Sequence, residues 1–468
     1  MKPQFIPPFP ERFPSPPPEW KRLLVGRKNF LAMWEEEAFE LEFSSAQVFC
    51  RKTFLCNSPD SVQFAFSKHN ASFERKAPQM RFALKPLLGN GLFISDGTTW
   101  KARRRTVAPI IHGSRLPLFA DMMVDAASEL GQTWRSRMSG VGYVGPSVQL
   151  DMLAEMAHLT ANIISRTVFG NELAPEFSEE IVAGFSEYQA VIGQIDPISL
   201  LGFPDWFPRY YRPAVHRTSE RIHGVIGRII DDIKARRSVD DSSLIGQLLD
   251  ARDENGQPLS REAIRDEAAV LFMAGHETTA NSLAWLWFIL SQMPQHDTAL
   301  QSELAMVLKG RQPTLADVPK LEFTRAVIEE TLRLYPPVPI LPREALHDEE
   351  FEGEAIPRGS LIFVVPWLLH RHKKLWDYPD HFIPERFLGE RARQISKFAY
   401  VPFSVGPRVC AGMTFALTES ILCVATLAQK FSMKLTPGHV VEPVCRLTLR
   451  PAGGLPMIVS SRDAAPSA

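Results

Sequence analysis

The sequence FSVGPRVCAG, residues 403–412, is the stretch that decides the fold of this chain. Its Cys410 follows Arg408 by two positions and Gly406 by four. Phe403 begins the stretch, and Gly412 ends it. Glycine allows a turn without a Cβ penalty, and arginine suits a carboxylate partner. The pattern therefore predicts a tight loop that presents one cysteine thiolate. The alternative is a buried structural cysteine in a turn before a helix.

This loop resembles the haem-binding signature of the cytochrome P-450 family of haem-thiolate monooxygenases, and it fits at every defining position. The resemblance implies that Cys410 is the axial ligand of one haem b per chain, with Arg408 on a propionate and Phe403 beside the sulfur. A thiolate ligand favours O–O bond cleavage. We expect Gly406 to form the turn and Gly412 to let the next helix approach the macrocycle. We also expect Cys410 to begin that helix, whose N-terminus would stabilise the thiolate.

A second motif, AGHETT at residues 274–279, interrupts the most apolar region of the chain. Ser260 is a good N-cap, so the pattern predicts a helix of about 30 residues, about 50 Å long, that ends near Met293. The hydroxyl of Thr278 can bond the carbonyl of Ala274 and loosen the helix locally. The resemblance implies an oxygen-binding groove here, in which Glu277 and Thr278 relay protons. A polar kink in a core helix is the alternative.

A third motif joins two helical positions to a downstream arginine. Glu330 and Arg333 lie three residues apart and share a helix face. On an exposed helix such a pair is common and contributes little. The resemblance implies that the pair is buried and is joined by Arg386 of the segment PERF, residues 384–387. We therefore expect these residues to form a structural network that supports folding and haem retention.

The resemblance also supplies donors for the haem propionates. Trp100 and Arg104 lie one helical turn apart and are placed on a propionate, and Arg343 adds a further donor. Guanidinium groups pair well with carboxylates. His370 matches the family position that precedes the PERF segment.

Three further cations, Lys101, Arg103 and Arg105, surround Arg104 in the sequence. They form either a solvated basic face or a docking patch for an acidic ferredoxin or flavodoxin. The resemblance implies that such a protein and its reductase deliver electrons, ultimately from NAD(P)H. Because the sequence ends soon after Cys410, we expect no fused reductase.

Composition narrows the class of protein further. The 468 residues carry a net charge of -1, which gives no reason to expect a nucleic-acid partner. Five cysteines at irregular spacing fit neither a disulfide framework nor a zinc site. The proline-rich N-terminus lacks the apolar run of a signal peptide or membrane anchor. We therefore expect a cytoplasmic protein.

The predicted organisation is a proline-rich arm over residues 1–20 and a single cytochrome P-450 domain over residues 21–468. The fold class is mainly α with a minor β lobe, and the haem lies between the long central helix and the cysteine-loop helix. We expect helices at about 321–334 and 410–430, short strands within 338–366, and a β-like piece at 445–450. The sequences GLF at 91–93 and AGHETT resemble most closely the branch with soluble bacterial fatty-acid hydroxylases.

The expected reaction is insertion of one oxygen atom from O₂ into a hydrophobic substrate, by hydroxylation or epoxidation. By position in the family, six apolar residues line the substrate pocket: Phe93, Met273, Ala274, Val338, Ile340 and Leu447. They indicate a fatty acid, terpenoid, steroid or similar hydrocarbon. Two alternatives stay open, a peroxygenase driven by hydrogen peroxide and a non-enzymatic haem-based sensor. The acid–alcohol pair, Glu277 and Thr278, speaks against both.

Overall fold

The structure is a computed structural model, and it describes residues 5–139, 146–170, 175–192, 197–203, 207–236, 243–253, 256–445 and 447–462. Its α-helices are α1 (Glu19–Lys28), α2 (Pro59–Gln63), α3 (Asn70–Phe73), α4 (Pro78–Leu88), α5 (Gly97–Ile110), α6 (Ala120–Met138), α7 (Met152–Phe169), α8 (Pro175–Val191), α9 (Pro197–Leu200), α10 (Pro213–Arg236), α11 (Leu244–Asp250), α12 (Arg261–Gln292), α13 (Pro294–Leu308), α14 (Glu322–Leu334), α15 (Pro366–Leu369), α16 (Gly389–Gln394) and α17 (Met413–Ala428).

The strands are few and short. They are β1 (Phe43–Val48), β2 (Arg51–Cys56), β3 (Arg75–Lys76), β4 (Ser147–Asp151), β5 (Leu341–Glu344), β6 (Glu349–Phe351), β7 (Glu354–Ile356), β8 (Leu361–Val364), β9 (Phe431–Leu435), β10 (Pro443–Cys445), β11 (Leu449–Pro451) and β12 (Pro456–Ser461). This confirms the prediction of a mainly α fold with a minor β part. Of the predicted terminal piece 445–450, residue 446 lies outside the described residues.

Helix α12 runs through the main hydrophobic core and packs against α7, α10, α14 and α17. Its first turn is capped as predicted, because the hydroxyl of Ser260 accepts a hydrogen bond from the N–H of Ala263 at 3.1 Å. The helix ends at Gln292, just before the proline that begins α13. Both ends therefore lie within one residue of the predicted ends.

The helix that follows the cysteine corrects one prediction. We expected Cys410 to begin it, but α17 starts at Met413, with Gly412 at the N-cap position. The cysteine lies in the turn before the helix. The reason is local, because Pro407 and Arg408 form a separate 3₁₀ turn that the chain must leave before α17 can start.

The largest sheet has five strands in the order β1-β2-β8-β5-β3. Strand β5 pairs with β8 and with β3 in antiparallel register, and the second pairing sets Arg343 opposite Lys76. A three-stranded sheet, in the order β4-β12-β9, lies beside α6 and α7. The register of β3 and β5 matters for the site, because it brings two cations together in the interior.

The N-terminal arm is held against the helices. Within residues 5–18 the chain forms no helix, and α1 begins at Glu19. The hydroxyl of the buried Tyr335 donates to the carbonyl of Pro8 at 2.7 Å. The guanidinium of Arg12 lies 3.8 Å from the centroid of the Phe39 ring. Across the part of the chain that the structure describes, no helix combines the length and the apolar character needed to cross a bilayer.

Candidate active site

The loop before α17 is fixed by its own backbone. The N–H of Cys410 donates to the carbonyl of Phe403 at 2.8 Å. Gly406 has a φ of +75°, and a Cβ at this position would lie 1.9 Å from the carbonyl oxygen of Phe66. Only glycine satisfies both conditions. At Gly412, by contrast, an added Cβ would meet no protein atom within 4 Å.

The thiol of Cys410 is accessible, although it lies deep among protein atoms. This depth raises the pKa of the thiol. The N–H of Gly412 and the positive charges of Arg104 and Lys76 act in the opposite direction and favour the thiolate. Although Cys410 lies before the helix, it therefore still receives an N–H donor from the residue at the start of α17.

Four cations from different elements lie together in this region, namely Lys76, Arg104, Arg343 and Arg408, and the first two act directly on the thiol. Burial lowers the pKa of each of them. Burial, with the charge of Arg408 as the smaller cause, lowers the pKa of Arg343 to about 9, and both arginines also lower the pKa of Lys76. Cations gathered in this way need an anionic partner.

The donors of these cations are only partly used. Nη2 of Arg408 donates to the carbonyl of Ser95 at 2.7 Å, but its Nε and Nη1 are buried with no hydrogen-bond partner among the described residues. Nη2 of Arg343 is also buried without a partner. The guanidinium of Arg408 stacks over Trp100 with 4.3 Å to the ring centroid. The structure thus brings the predicted residues Trp100, Arg104, Arg343 and Arg408 together.

These residues fit a haem. Orphaned guanidinium donors beside one accessible thiol match a flat cofactor that carries two carboxylates and takes one thiolate ligand. Sequence analysis missed Lys76 because it belongs to no motif, and only the pairing of β3 with β5 places it opposite Arg343. Lys76 also lies 4.7 Å from the centroid of the Phe93 ring.

The middle of α12 shows the predicted departure from a simple core helix. The hydroxyl of Thr278 donates to the carbonyl of Ala274 at 2.6 Å. Ala274 is exposed, although the helix around it is buried. The hydroxyl of Ser282 in turn donates to the carbonyl of Thr278 at 2.9 Å. Side-chain hydroxyls therefore bond helix carbonyls on two successive turns.

Whereas the hydroxyl of Thr278 bonds within α12, the carboxylate of Glu277 forms hydrogen bonds with residues outside this helix. It accepts hydrogen bonds from the side-chain amide of Gln189 in α8 and from the hydroxyl of Thr448 near the C-terminus. Glu277 and Gln189 line a cavity of about 100 Å³ between α7, α8 and α12. Its neighbour His276 is buried, and burial lowers the pKa of this histidine to about 4. Sequence analysis did not identify Gln189 or Thr448.

The predicted structural network is present and buried. Arg333 makes two hydrogen bonds to Glu330, at 2.7 and 2.8 Å, and both side chains are fully buried. Arg386 lies 3.4 Å from the same carboxylate. Arg333 also donates to three backbone carbonyls, including that of His370 at 2.6 Å. His370 belongs to this network, because its carbonyl accepts from Arg333 and its Nδ1 lies 3.2 Å from the carbonyl oxygen of Arg333.

The six residues predicted for the pocket are distributed over several elements. Phe93, Met273, Ile340 and Leu447 are half-buried and pack at the edge of the main core, whereas Val338 packs on the smaller core beside the five-stranded sheet. Ala274 is the exposed residue of α12 described above. Met273 also lines the cavity that Glu277 faces.

The basic face around Arg104 is smaller than the sequence suggests. Arg103 lies 3.5 Å from the buried carboxylate of Glu267 in α12, so it is engaged in the interior. Lys101 and Arg105 are exposed. The carboxylate of Glu267 also accepts from the N–H of Leu92, next to Phe93. Sequence analysis missed Glu267, as it did Glu419 of α17, which hydrogen-bonds with Thr279.

Comparison with known proteins supplies the family. The cytochrome P450 family model matches residues 33–455. Cyclooctatin synthase of Streptomyces melanosporofaciens is 35% identical over 88% of this chain and 87% of the relative. Cyclooctat-9-en-7-ol 5-monooxygenase of the same organism is 30% identical over 81% of this chain and 80% of the relative.

The fold agrees with these sequence matches. The crystal structure of the cytochrome P450DA heme domain has a TM-score of 0.78 to this structure at 23% identity, and the match covers 98% of this chain and 99% of that one. Fold and sequence together define a haem-thiolate oxygenase. The chain belongs to the cytochrome P450 family, and its activity is that of a P450 monooxygenase.

Proposed function

We propose that this protein hydroxylates or epoxidises a largely hydrocarbon substrate of terpenoid type, with electrons from NAD(P)H delivered by a separate ferredoxin or flavodoxin and its reductase. The chain would act as one P450 domain over residues 21–468, with the arm over residues 1–20 outside it. The observation that carries the proposal is the accessible thiol of Cys410 near four buried or half-buried cations, two of which, Arg343 and Arg408, have guanidinium donors with no hydrogen-bond partner among the described residues. The name of one relative specifies position 5 of cyclooctat-9-en-7-ol, an unsaturated alcohol, which supports the substrate class.

In this proposal the residues around the thiol hold the cofactor. Cys410 ligates the iron, while Trp100, Arg104, Arg343 and Arg408 bind the propionates together with Lys76, and the loop residues Phe403, Gly406 and Gly412 fix the position of the ligand. When bound, haem supplies the reductive activation of O₂. The thiolate ligand requires a deprotonated sulfur, which the N–H of Gly412 and the nearby cations favour.

The residues of α12 transfer protons, and those of the predicted pocket bind the substrate. Glu277 and Thr278 hold and move the protons that the reaction consumes. The apolar side chains Phe93, Met273, Ala274, Val338, Ile340 and Leu447 orient the substrate and exclude water. All six are hydrocarbon or thioether surfaces, which supports a substrate whose reacting part is apolar.

A spectroscopic experiment tests the haem site. In the dithionite-reduced protein with carbon monoxide, we expect the strongly red-shifted Soret band of a thiolate complex. Cys410→Ser should abolish this band. Cys50→Ser, at an exposed cysteine in the turn between β1 and β2, is the matched control and should leave the band unchanged. A normal band in Cys410→Ser would overturn the ligand assignment.

A turnover experiment tests the reaction. Cyclooctat-9-en-7-ol is supplied with NADPH, a ferredoxin and its reductase in one arm, and with hydrogen peroxide alone in the other. Product in the first arm supports the proposal. Product only with peroxide would identify a peroxygenase, which is the alternative reaction. A thiolate-type band without product in either arm would reject the substrate class.

A further inference from the structure

The carboxylate of Glu277 is held on both of its oxygens by elements outside α12. Gln189 of α8 donates to Oε2, and Thr448, in the turn between β10 and β11, donates to Oε1. The two donors approach from different parts of the chain, 88 residues before Glu277 and 171 residues after it. Each carboxylate oxygen therefore has one defined donor, and each donor comes from a different element.

The hydrogen-bond direction at Thr448 is fixed by a third residue. Nδ2 of Asn281, one turn after Glu277 on α12, donates to Oγ1 of Thr448 at 3.2 Å. An amide nitrogen can only donate, so the threonine oxygen accepts there and its own proton points to Glu277. Asn281, Thr448 and Glu277 therefore form a chain in which each polar atom has one defined role.

The carboxylate held in this way faces a cavity that is lined by both apolar and polar side chains. The cavity has a volume of about 100 Å³, and its polar lining includes His276, Asn281 and Arg450. Nε2 of His276 is buried and has no hydrogen-bond partner. A water molecule needs about 10–15 Å³ of such volume and two to four polar partners, so this cavity can hold several.

We propose that Gln189 and Thr448 are positioning residues for Glu277, and that the cavity between α7, α8 and α12 is the inlet from which Glu277 takes protons. Glu277 takes a proton from water in the cavity and passes it to the hydroxyl of Thr278, the next residue along α12, which gives up its own proton to the reaction. Glu277 is then a carboxylate again, and the water in the cavity regains its proton from solvent. Each protonation and deprotonation of Glu277 thus moves one solvent proton, and the relay repeats for every further proton that the turnover consumes.

Thr448 lies next to a residue of the proposed substrate pocket. Its neighbour Leu447 is one of the residues proposed for the substrate pocket, so the same turn would contact both the substrate and the carboxylate. The inference rests on the monooxygenase activity of the family and does not depend on a terpenoid substrate. A structural reading is that Gln189 and Thr448 only join α8 and the C-terminal turn to α12. The experiment must therefore measure proton delivery as well as stability.

The experiment uses the haem-loaded protein with NADPH, a ferredoxin and its reductase. Thr448→Val and Gln189→Leu remove the two donors with little change of shape. We expect each to lower the product formed per NADPH by about fivefold and to raise the release of hydrogen peroxide, because proton delivery limits productive turnover. Product formation driven by added peroxide should stay within about twofold of the unaltered protein, since peroxide already carries both protons.

Two further variants make the result specific. Thr167→Val, at a buried threonine of α7 whose hydroxyl donates to the carbonyl of Ile163 in the same helix, is the matched control and should leave coupling unchanged. Thr448→Ser keeps the hydroxyl and should restore coupling. Normal coupling in the double variant of Gln189 and Thr448 would overturn the positioning role. So would a loss of peroxide-driven turnover equal to the loss of coupling, because that would be a structural effect.

A readout without turnover tests the inlet itself. A crystal structure of the haem-loaded protein should show ordered water in the cavity within hydrogen-bond distance of Glu277 or of Nε2 of His276. A dry cavity would overturn the inlet. If no organic product forms from any terpenoid but the cavity holds water and peroxide release rises in the variants, the proposed substrate fails while this inference stands.

Discussion

Both carboxylate oxygens of Glu267 accept the backbone N–H of Leu92, each at 3.1 Å. This contact joins the first half of α12 to the segment before α5, where Phe93 lies next to Leu92. Burial raises the pKa of Glu267 to about 7, while the N–H of Leu92 and the charge of Arg103 act against this. The position of Phe93 therefore depends on a carboxylate that no motif contains.

Removing this carboxylate should weaken substrate binding. Glu267→Leu leaves the buried N–H of Leu92 and the guanidinium of Arg103 without a partner, which costs about 1–3 kcal/mol. We expect Kd for substrate, measured by spectral titration, to rise by about tenfold, since 1.4 kcal/mol corresponds to a factor of ten. Glu262→Leu, at an exposed position on the same helix, is the control. Equal Kd values for both variants would contradict the role of Glu267.

The buried pair of Glu330 and Arg333 should contribute far more than an exposed pair of the same spacing. Arg333→Leu leaves the carboxylate of Glu330 buried without its main partner, so we expect a loss of about 3–5 kcal/mol in the free energy of unfolding and a loss of haem. Arg393→Leu breaks the exposed pair with Glu390, also three residues apart, and should cost at most about 1 kcal/mol.

Denaturant unfolding of the haem-free protein separates the two effects of Arg333→Leu. A variant that unfolds normally but retains no haem would place Arg333 in cofactor binding and not in folding. Similar losses for Arg333→Leu and Arg393→Leu would mean that burial adds nothing to the pair. The second result would contradict the structural network.

Sequence analysis predicted best where one local rule decided the structure. The N-cap at Ser260 fixed the start of α12, and the bond from Thr278 to Ala274 follows from the helix repeat. The buried pair of Glu330 and Arg333 is local in the same sense. The predicted start of α17 was wrong, because a 3₁₀ turn at residues 406–408 comes before the helix and takes up the residues around the cysteine.

The residues that the sequence did not identify come from long-range contacts. Lys76 reaches Arg343 only through the register of two short strands, and Gln189 reaches Glu277 across 88 positions. Neither residue type stands out in its own segment, because lysine and glutamine are ordinary on amphipathic helices and strand ends. Such partners appear only when the chain is folded.

Gly406 should be replaceable by no other residue. Gly406→Ala would place a Cβ 1.9 Å from the carbonyl of Phe66 at a φ of +75°, so the cysteine loop must shift as a whole. We expect a large loss of haem content and of the thiolate-type band. Gly453→Ala, at a φ of +70° with no atom within 4 Å of the added Cβ, carries the backbone strain alone. It should cost about 1–3 kcal/mol and keep the haem.

The buried carboxyl of Glu419 should make stability fall as the pH rises. It lies on α17 beside Thr279 of α12, its Oε1 has no hydrogen-bond partner, and burial raises its pKa to about 8 from a model-peptide value near 4.5. The folded state therefore binds more protons than the unfolded state between about pH 4.5 and 8, so the free energy of unfolding decreases with pH across this window. The contribution is fully present below the lower pKa and is lost above the higher one.

Replacing this carboxyl by an amide isolates its contribution. Glu419→Gln cannot ionise, so its stability relative to the unaltered protein should increase by up to about 1.4 kcal/mol per pH unit between pH 5 and 8. Denaturant unfolding at both pH values measures the difference. His370 has the opposite effect on the pH dependence of stability. Burial lowers its pKa to about 3, so its contribution makes the free energy of unfolding rise with pH below about 6.5. A difference between Glu419→Gln and the unaltered protein that is the same at pH 5 and pH 8 would show that Glu419 ionises in the folded state as it does in the unfolded chain.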